Sequence, residues 1–402
     1  MRVSTNTIYE QGVSTILQQQ ESMLKTQQQI STGRRILTPA DDPVAAARAL
    51  DVTQAESTNA QYAENRNNAK SSLGLAEVVL QGVTNLIQDV RTATVNAGNP
   101  TLTNNDRAGL AAEMRSRLEE LVGLANSTDG TGQYLFSGYQ GTTKPFTQTA
   151  TGAQYSGDQG QRLSQVSASR RTAVSDSGTD IFERIKNGNG VFVTAAAAAN
   201  SGSGVISPGT VVAPASLTGH NYQITFTVAA GATTYDVVDT TTAATLSAAN
   251  PYTSGSTISF GGLQFDIQGV PVNGDQFTVA PSTNQSLFKT LSDLIAVVVA
   301  PGNGQPGSTR LTNGLNTALL NLDRGLDNIL SVRAAVGTRL RELDALDSTG
   351  EDLALQYQQT LSQLQDVDYA RALSELSRQQ VYLEAAQKSF VKVSGLSLFD
   401  YV

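Results

Sequence analysis

Hydrophobic residues recur at a heptad interval at both ends of the chain and alternate with polar residues in its middle. Near the N-terminus Val13, Gln20 and Gln27 recur every seven residues, as do Ile16, Met23 and Ile30. Near the C-terminus Tyr369, Leu376, Leu383 and Phe390 recur at the same interval, beside Ala372, Gln379, Ala386 and Val393. Apolar positions at this spacing make a seam that needs another helix. Both seams carry glutamine, so neither end brings a complete apolar interface. The spacing predicts that the two ends pair and that further partners come from outside the chain.

Residues 1–125 read as helices. Gly33, Pro39 and Pro43 break the period, so residues 31–43 form a connector. A second helix is predicted to start near Asp42–Pro43, with Asp as N-cap and Pro at the first helical position. It runs past Tyr62 along Leu73, Leu80, Val83, Ile87 and Val90, and Gly98-Asn-Pro100 ends it. Asn104 or Asn105 caps the next helix. From Gly130 the texture changes, with short strand candidates at Tyr134–Phe136, Gln154–Tyr155 and Arg162–Val166. Residues 195–216 are rich in Ala, Ser, Gly and Pro. Then Tyr222, Ile224, Phe226 and Val228 alternate with polar residues, as do Tyr235 and Val237, Leu263, Phe265 and Ile267, and Phe277 and Val279. One apolar and one polar face per strand predicts a half-buried antiparallel sheet, in a β-domain at about 190–283. Helical spacing returns at Ser286. After a loop at Pro301–Gly307 it resumes from Leu315 and runs, with a weak point at Gly350, to about Leu396. The fold class is mainly α with an inserted β-domain.

At 402 residues the chain is long enough for two or three domains. Only 15% of residues are charged, against a usual quarter. The chain has no Cys, which excludes disulfides, thiolate chemistry and zinc–thiolate sites, and suits it equally to a reducing cytosol and an oxidising exterior. With 27 basic and 35 acidic residues the net charge is −8, which argues against nucleic acid as the main partner. No apolar run approaches the roughly 20 residues of a spanning helix, so membrane insertion is not expected. Residues Met1 to Tyr9 lack the basic region and apolar core of a cleavable secretory signal. Export would take another route.

The candidate chemistry is sparse. Gly302-Asn-Gly304-Gln-Pro-Gly307 has the spacing of a dinucleotide phosphate loop, but the run before it is helical in spacing and no βαβ unit follows. His220 is the only imidazole, and no metal-ligating cluster accompanies it. A Ser–His–Asp triad would depend on that same residue. Asp41-Asp42 reads as capping and Glu119-Glu120 as a solvated helix face. No catalytic, metal or cofactor residue is therefore assigned. Arg34 and Arg35, with Arg48, read either as connector packing or as an inter-subunit contact, and the enrichment of Arg in interfaces favours the second. The candidate site is thus an assembly surface: Val13, Ile16, Met23, Ile30, Arg34, Arg35, Tyr369, Leu376, Leu383 and Phe390.

Ile30-Ser-Thr-Gly-Arg-Arg-Ile-Leu-Thr-Pro-Ala-Asp-Asp-Pro43 resembles the N-terminal signature of the flagellin superfamily, and Asp366-Val-Asp-Tyr-Ala370 resembles its C-terminal partner. Met1-Arg-Val-Ser-Thr-Asn6, Tyr134-Leu-Phe-Ser-Gly138, Ala385-Ala-Gln-Lys-Ser-Phe390 and Ser394-Gly-Leu-Ser-Leu-Phe-Asp-Tyr401 are similar to the hook-associated branch of that superfamily. The resemblance covers the helical ends closely and the β-domain loosely. It implies a coiled-coil inner domain from residues 1–42 and 365–402. Around it, 43–189 and 284–364 form a helical domain with a β-hairpin at about 133–175, and 190–283 forms an outer antiparallel β-domain. It also implies a structural subunit secreted by the flagellar type III route to the hook–filament junction. The implied partners are further copies in a ring or layer, a neighbouring hook-associated protein, flagellin and a cytoplasmic export chaperone. Filament flagellin is the rival within the class, a secreted adhesin using the β-domain is the rival outside it, and an enzyme is the weakest reading.

Overall fold

The structure is a computed structural model and describes residues 5–394. Six α-helices carry the chain: α1 (Thr5–Thr32), α2 (Pro43–Ala97), α3 (Asn104–Ala125), α4 (Leu287–Val299), α5 (Gly304–Gln365) and α6 (Tyr369–Ser394). The chain divides into two compact units. One takes the described parts of Met1–Glu64 and Ala345–Val402, and the other is Asn65–Asp344.

The helix boundaries follow local chemistry. Pro43 opens α2, and the Asp42 carboxylate accepts the Ala45 N–H at 3.0 Å. Thr103, one residue before the expected Asn104, caps α3 in a reciprocal box with Asp106. Ser286 caps α4 by accepting the Lys289 N–H. α5 starts at Gly304, well before Leu315, because Pro306 falls in the first turn, where its missing N–H costs nothing. Gly350 does not interrupt α5. Its carbonyl accepts Asn59 Nδ2 at 2.7 Å, and the helix continues to Gln365. The break comes at residues 366–368 instead, where Asp368 caps α6 by accepting the Arg371 N–H.

In the larger unit, Leu73, Leu80 and Ile87 of α2, Met114 and Leu121 of α3, and Leu322, Ile329 and Val336 of α5 are buried at heptad or near-heptad intervals. Two hairpins follow α3: β1 (Phe146–Thr149) with β2 (Gly152–Tyr155), and β3 (Leu163–Ser167) with β4 (Arg170–Ala173). Tyr134–Phe136 forms no strand. Phe136 instead joins a buried aromatic cluster in which Phe182 lies 5.7 Å from Phe136 and 5.4 Å from Phe146, and Phe288 completes it. The local N–H groups go to turn partners, Tyr134 to Gly141 O and Leu135 to Ser127 O.

Nine further strands form two antiparallel sheets. One has the order β10 (Ala244–Pro251), β9 (Ala232–Asp239), β8 (Tyr222–Ala229), β13 (Gln276–Pro281) and β5 (Phe192–Ala196). In the other, β12 (Leu263–Gln268) pairs with β11 (Thr257–Phe260), β6 (Val205–Ile206) and β7 (Thr210–Val211). Ile224, Phe226, Phe277 and Val279 from the first sheet share one core with Ile258, Phe265 and Ile267 from the second. Helix α5 grips this β-region through side chains. Asn313 Oδ1 accepts the Ile206 N–H at 3.0 Å while its Nδ2 donates to Gly204 O at 3.0 Å, so one amide stands in for a strand partner. Asn321 accepts the Gly188 N–H, and Arg324 donates to Gly188 O and Asn189 O.

Candidate assembly surface

The smaller unit holds every residue of the candidate surface. Helices α1 and α6 pair along their length in opposite directions, from Tyr9 against Phe390 at one end (ring centroids 5.1 Å apart) to Gly33 against Tyr369 at the other. Ile16, Met23 and Ile30 of α1 and Leu376, Leu383 and Phe390 of α6 all remain partly exposed. In the second row of α1, Thr26 is only 6% exposed whereas Gln27 is exposed, and Gly12, Val13, Gln19 and Gln20 are all half-buried. A Cβ at residue 12 would lie 2.6 Å from the Phe390 ring, so the ring takes the space that a side chain would need. On α6, Ala372 and Gln379 are buried, Ala386 is half-buried, and Tyr369 and Val393 are exposed.

Beside this seam, apolar residues lie open. Leu17 and Leu24 of α1 are 58% and 55% exposed, and Leu373 and Tyr382 of α6 are 54% and 55% exposed. Single exposed apolar residues are ordinary, but rows of them along a paired helix leave a second face unburied.

A hydrogen-bonded knot ties the connector after α1 to the break before α6. Residues 34 and 366 form an antiparallel bridge. The Arg35 N–H donates to Gln365 O at 2.6 Å, and the Val367 N–H donates to Gly33 O at 2.9 Å. Gly33 has φ +72°, a left-handed conformation in which glycine carries no steric cost. Arg35 is committed within the chain, to the Asp42 carboxylate at 3.2 Å and Leu364 O at 2.8 Å. Arg34 and Arg35 are both exposed. Asp41 accepts Lys25 Nζ and the N–H groups of Leu37 and Thr38. Hydrogen bonds from Lys25 and from the Thr38 backbone hold its carboxyl at about 2, below the ordinary 3.8. The Ala45 N–H and then Arg35 lower Asp42 in the same way.

His220 and the glycine-rich loop at 302–307 lie in the larger unit. His220 Nδ1 is 2.6 Å from Asp239 Oδ2, ahead of β8. Asp239 also accepts the Thr241 and Thr242 N–H groups, so the pair anchors a turn. Gly302 and Gly307 pack tightly at the first turn of α5, leaving no room for a Cβ at residue 307. Among the described residues, no helix is long and apolar enough to cross a membrane.

Residues 3–141, from the terminal seam to the first turns after α3, match the bacterial flagellin N-terminal helical region. Flagellar hook-associated protein 3 of Salmonella typhimurium is 31% identical over 401 residues, covering 100% of this chain and 99% of that one. The solved structure of the flagellar junction protein FlgL from Legionella pneumophila superposes with a TM-score of 0.72 at 31% identity, covering 79% of this chain and 100% of that one. Flagellin B of Helicobacter pylori is more distant, 26% identical over 137 residues, which are 34% of this chain and 27% of that one. The matched stretch of flagellin B is thus about a third of this chain, whereas likeness to hook-associated protein 3 extends over its whole length. The chain belongs to the flagellar hook-associated protein 3 family.

Proposed function

We propose that this chain is a structural subunit of the bacterial flagellum that polymerises at the hook–filament junction. There it adapts hook-side proteins to the flagellin filament. The observation that carries the reading is the unfinished terminal pair. Its seam residues stay partly exposed after pairing, and Leu17, Leu24 and Leu373 lie open beside them. Such a pair gains most when further helices cover it. The expected partners are other copies in a ring or layer, a neighbouring hook-associated protein and flagellin. Before secretion, an export chaperone in the cytoplasm covers α6. The domain scheme follows from the same reading: a terminal helical domain of 1–42 with 365–402, a helical domain of 43–189 with 284–364, and a β-domain of 190–283.

The test is complementation of a deletion strain. Cells without the protein are expected to carry hooks without filaments and to release flagellin into the medium. Wild-type chain restores filaments, and immunogold labels one discrete joint. Leu383→Asp places a carboxylate in the seam, at a cost of several kcal/mol if it is buried unpaired, and is expected to be exported without restoring filaments. Label spread along the filament or over the cell surface, or full restoration by Leu383→Asp, would defeat the proposal.

A further inference from the structure

A cavity of about 170 Å³ in the β-region is lined from both of its sheets. Phe192, Val279 and Pro281 of one sheet, Leu263 of the other and Leu217 ahead of β8 make its apolar walls. An apolar protein cavity of roughly 150 Å³ holds a benzene ring. Three side chains bring polar atoms to the lining: Thr218, His220 and Tyr222. The Thr218 and Tyr222 hydroxyls bond each other, and Thr218 also accepts the His220 N–H. His220 Nδ1 meets Asp239 Oδ2 at 2.6 Å. Among the described residues, His220 Nε2 is thus the one polar side-chain atom of this lining with no protein partner.

Asp239 fixes which ring nitrogen carries the proton. Its Oδ1 accepts the Thr241 and Thr242 N–H groups. Burial works against ionisation, but hydrogen bonds from His220 and Thr242 outweigh it and hold the carboxyl at about 2. An ionised carboxylate only accepts, so the neutral imidazole donates from Nδ1 and keeps Nε2 as an acceptor. A ring-sized apolar space with one acceptor in its lining suits a ring that carries one donor. Phe192 and Tyr222 add aromatic surfaces, which favour an aromatic ring over an aliphatic one. We propose that this cavity is a binding site for a phenolic ring, held by the apolar walls with its O–H donating to His220 Nε2. His220 then sets the specificity of the site, and Asp239 acts through it as a positioning residue. The site is separate from the proposed assembly role and does not depend on it.

His220 is the only histidine of the chain, so nitrogen-15 labelling of histidine gives one pair of ring-nitrogen signals. Phenol is titrated into the labelled full chain, with anisole, which has the same ring and no donor, as the comparison. Phenol is expected to shift the Nε2 signal saturably below roughly 10 mM, and anisole to bind about tenfold more weakly, the size of one hydrogen bond. His220→Phe keeps a ring and removes Nε2, and should abolish the difference between the two ligands in calorimetry. The wild-type comparison stands by itself if that variant fails to fold. N-acetyltyrosinamide distinguishes the sources of the phenol: binding as tight as phenol assigns a tyrosine side chain, and weaker binding assigns a free phenol. No shift at Nε2 in that range, or equal binding of phenol and anisole, overturns the assignment and leaves the assembly role untouched.

Discussion

Phe390→Ala tests whether the terminal pair exists as described in the free chain. The Phe390 ring fills the place of a side chain on Gly12 and packs at a tilt against Tyr9 with centroids 5.1 Å apart. A phenylalanine offers roughly 200 Å² for burial, and this ring is more than half covered. Losing about 120 Å² at about 25 cal/mol per Å² costs about 3 kcal/mol. The compactness of real unfolded chains reduces this to about 2 kcal/mol. Opening of the α1–α6 pair should then become roughly thirtyfold more frequent. Hydrogen exchange with mass spectrometry on dilute monomer reads this directly over residues 5–32 and 369–394. Amides of β8 and β13, in the other compact unit, serve as the internal reference and should not change. Unaltered exchange in both terminal helices would mean that the Gly12–Phe390 contact does not hold the pair together.

Further outcomes are expected elsewhere. The folded Asp41 carboxyl titrates at about 2 and its unfolded counterpart near 3.8, so its contribution is complete above pH 4 and is lost as pH falls towards 2. Exchange at Leu37 and Thr38 should rise over that window, and Asp41→Asn should remove the dependence. Asn313→Ala strands the Ile206 N–H and Gly204 O, and should cost on the order of 2–4 kcal/mol. Urea unfolding of the larger unit measures the loss, and an unchanged midpoint would show that the amide is not gripping β6. Phe182→Ala empties a fully buried site against three other rings and should cost about 3–5 kcal/mol. A change of less than 1 kcal/mol in the same assay would contradict the packing described.

What the sequence disclosed depended on whether a residue's role is written in its own chemistry. Asp42-Pro43 and Ser286 announce helix starts because capping is local. The strands β8, β12 and β13 are legible because each buries one face. Strand β10 is not legible: as an edge strand with register shifts it buries neither face, and its pairing with β9 alone defines it. Tyr134-Leu-Phe136 has a strand's composition, yet the aromatic cluster claims Phe136 and the turns take the backbone. Gly350 looks like a helix breaker, but one glycine costs about 1 kcal/mol in a helix interior, too little to stop a 62-residue helix. In the candidate surface, Ile16, Met23, Leu376 and Leu383 were visible from spacing. Gly12 was not, because its contribution is the absence of a side chain and appears only when Phe390 is placed against it.

The distribution of interactions in the terminal unit follows a consistent logic. Directional bonds concentrate at one end, where Arg35 meets Gln365, Val367 meets Gly33, and Lys25 meets Asp41. The far end carries the tilted ring contact of Tyr9 and Phe390. Between them, the buried positions include Thr26 and Gln379, whose side chains hydrogen-bond only within their own helices. An uninterrupted leucine seam over helices of 28 and 26 residues would finish the pair within one chain and leave little to gain from neighbours. Amides in the middle leave a pair registered by its knot and incomplete along its length. Register is thus encoded separately from strength, and the strength that the seam withholds in one chain is available when other helices close over it.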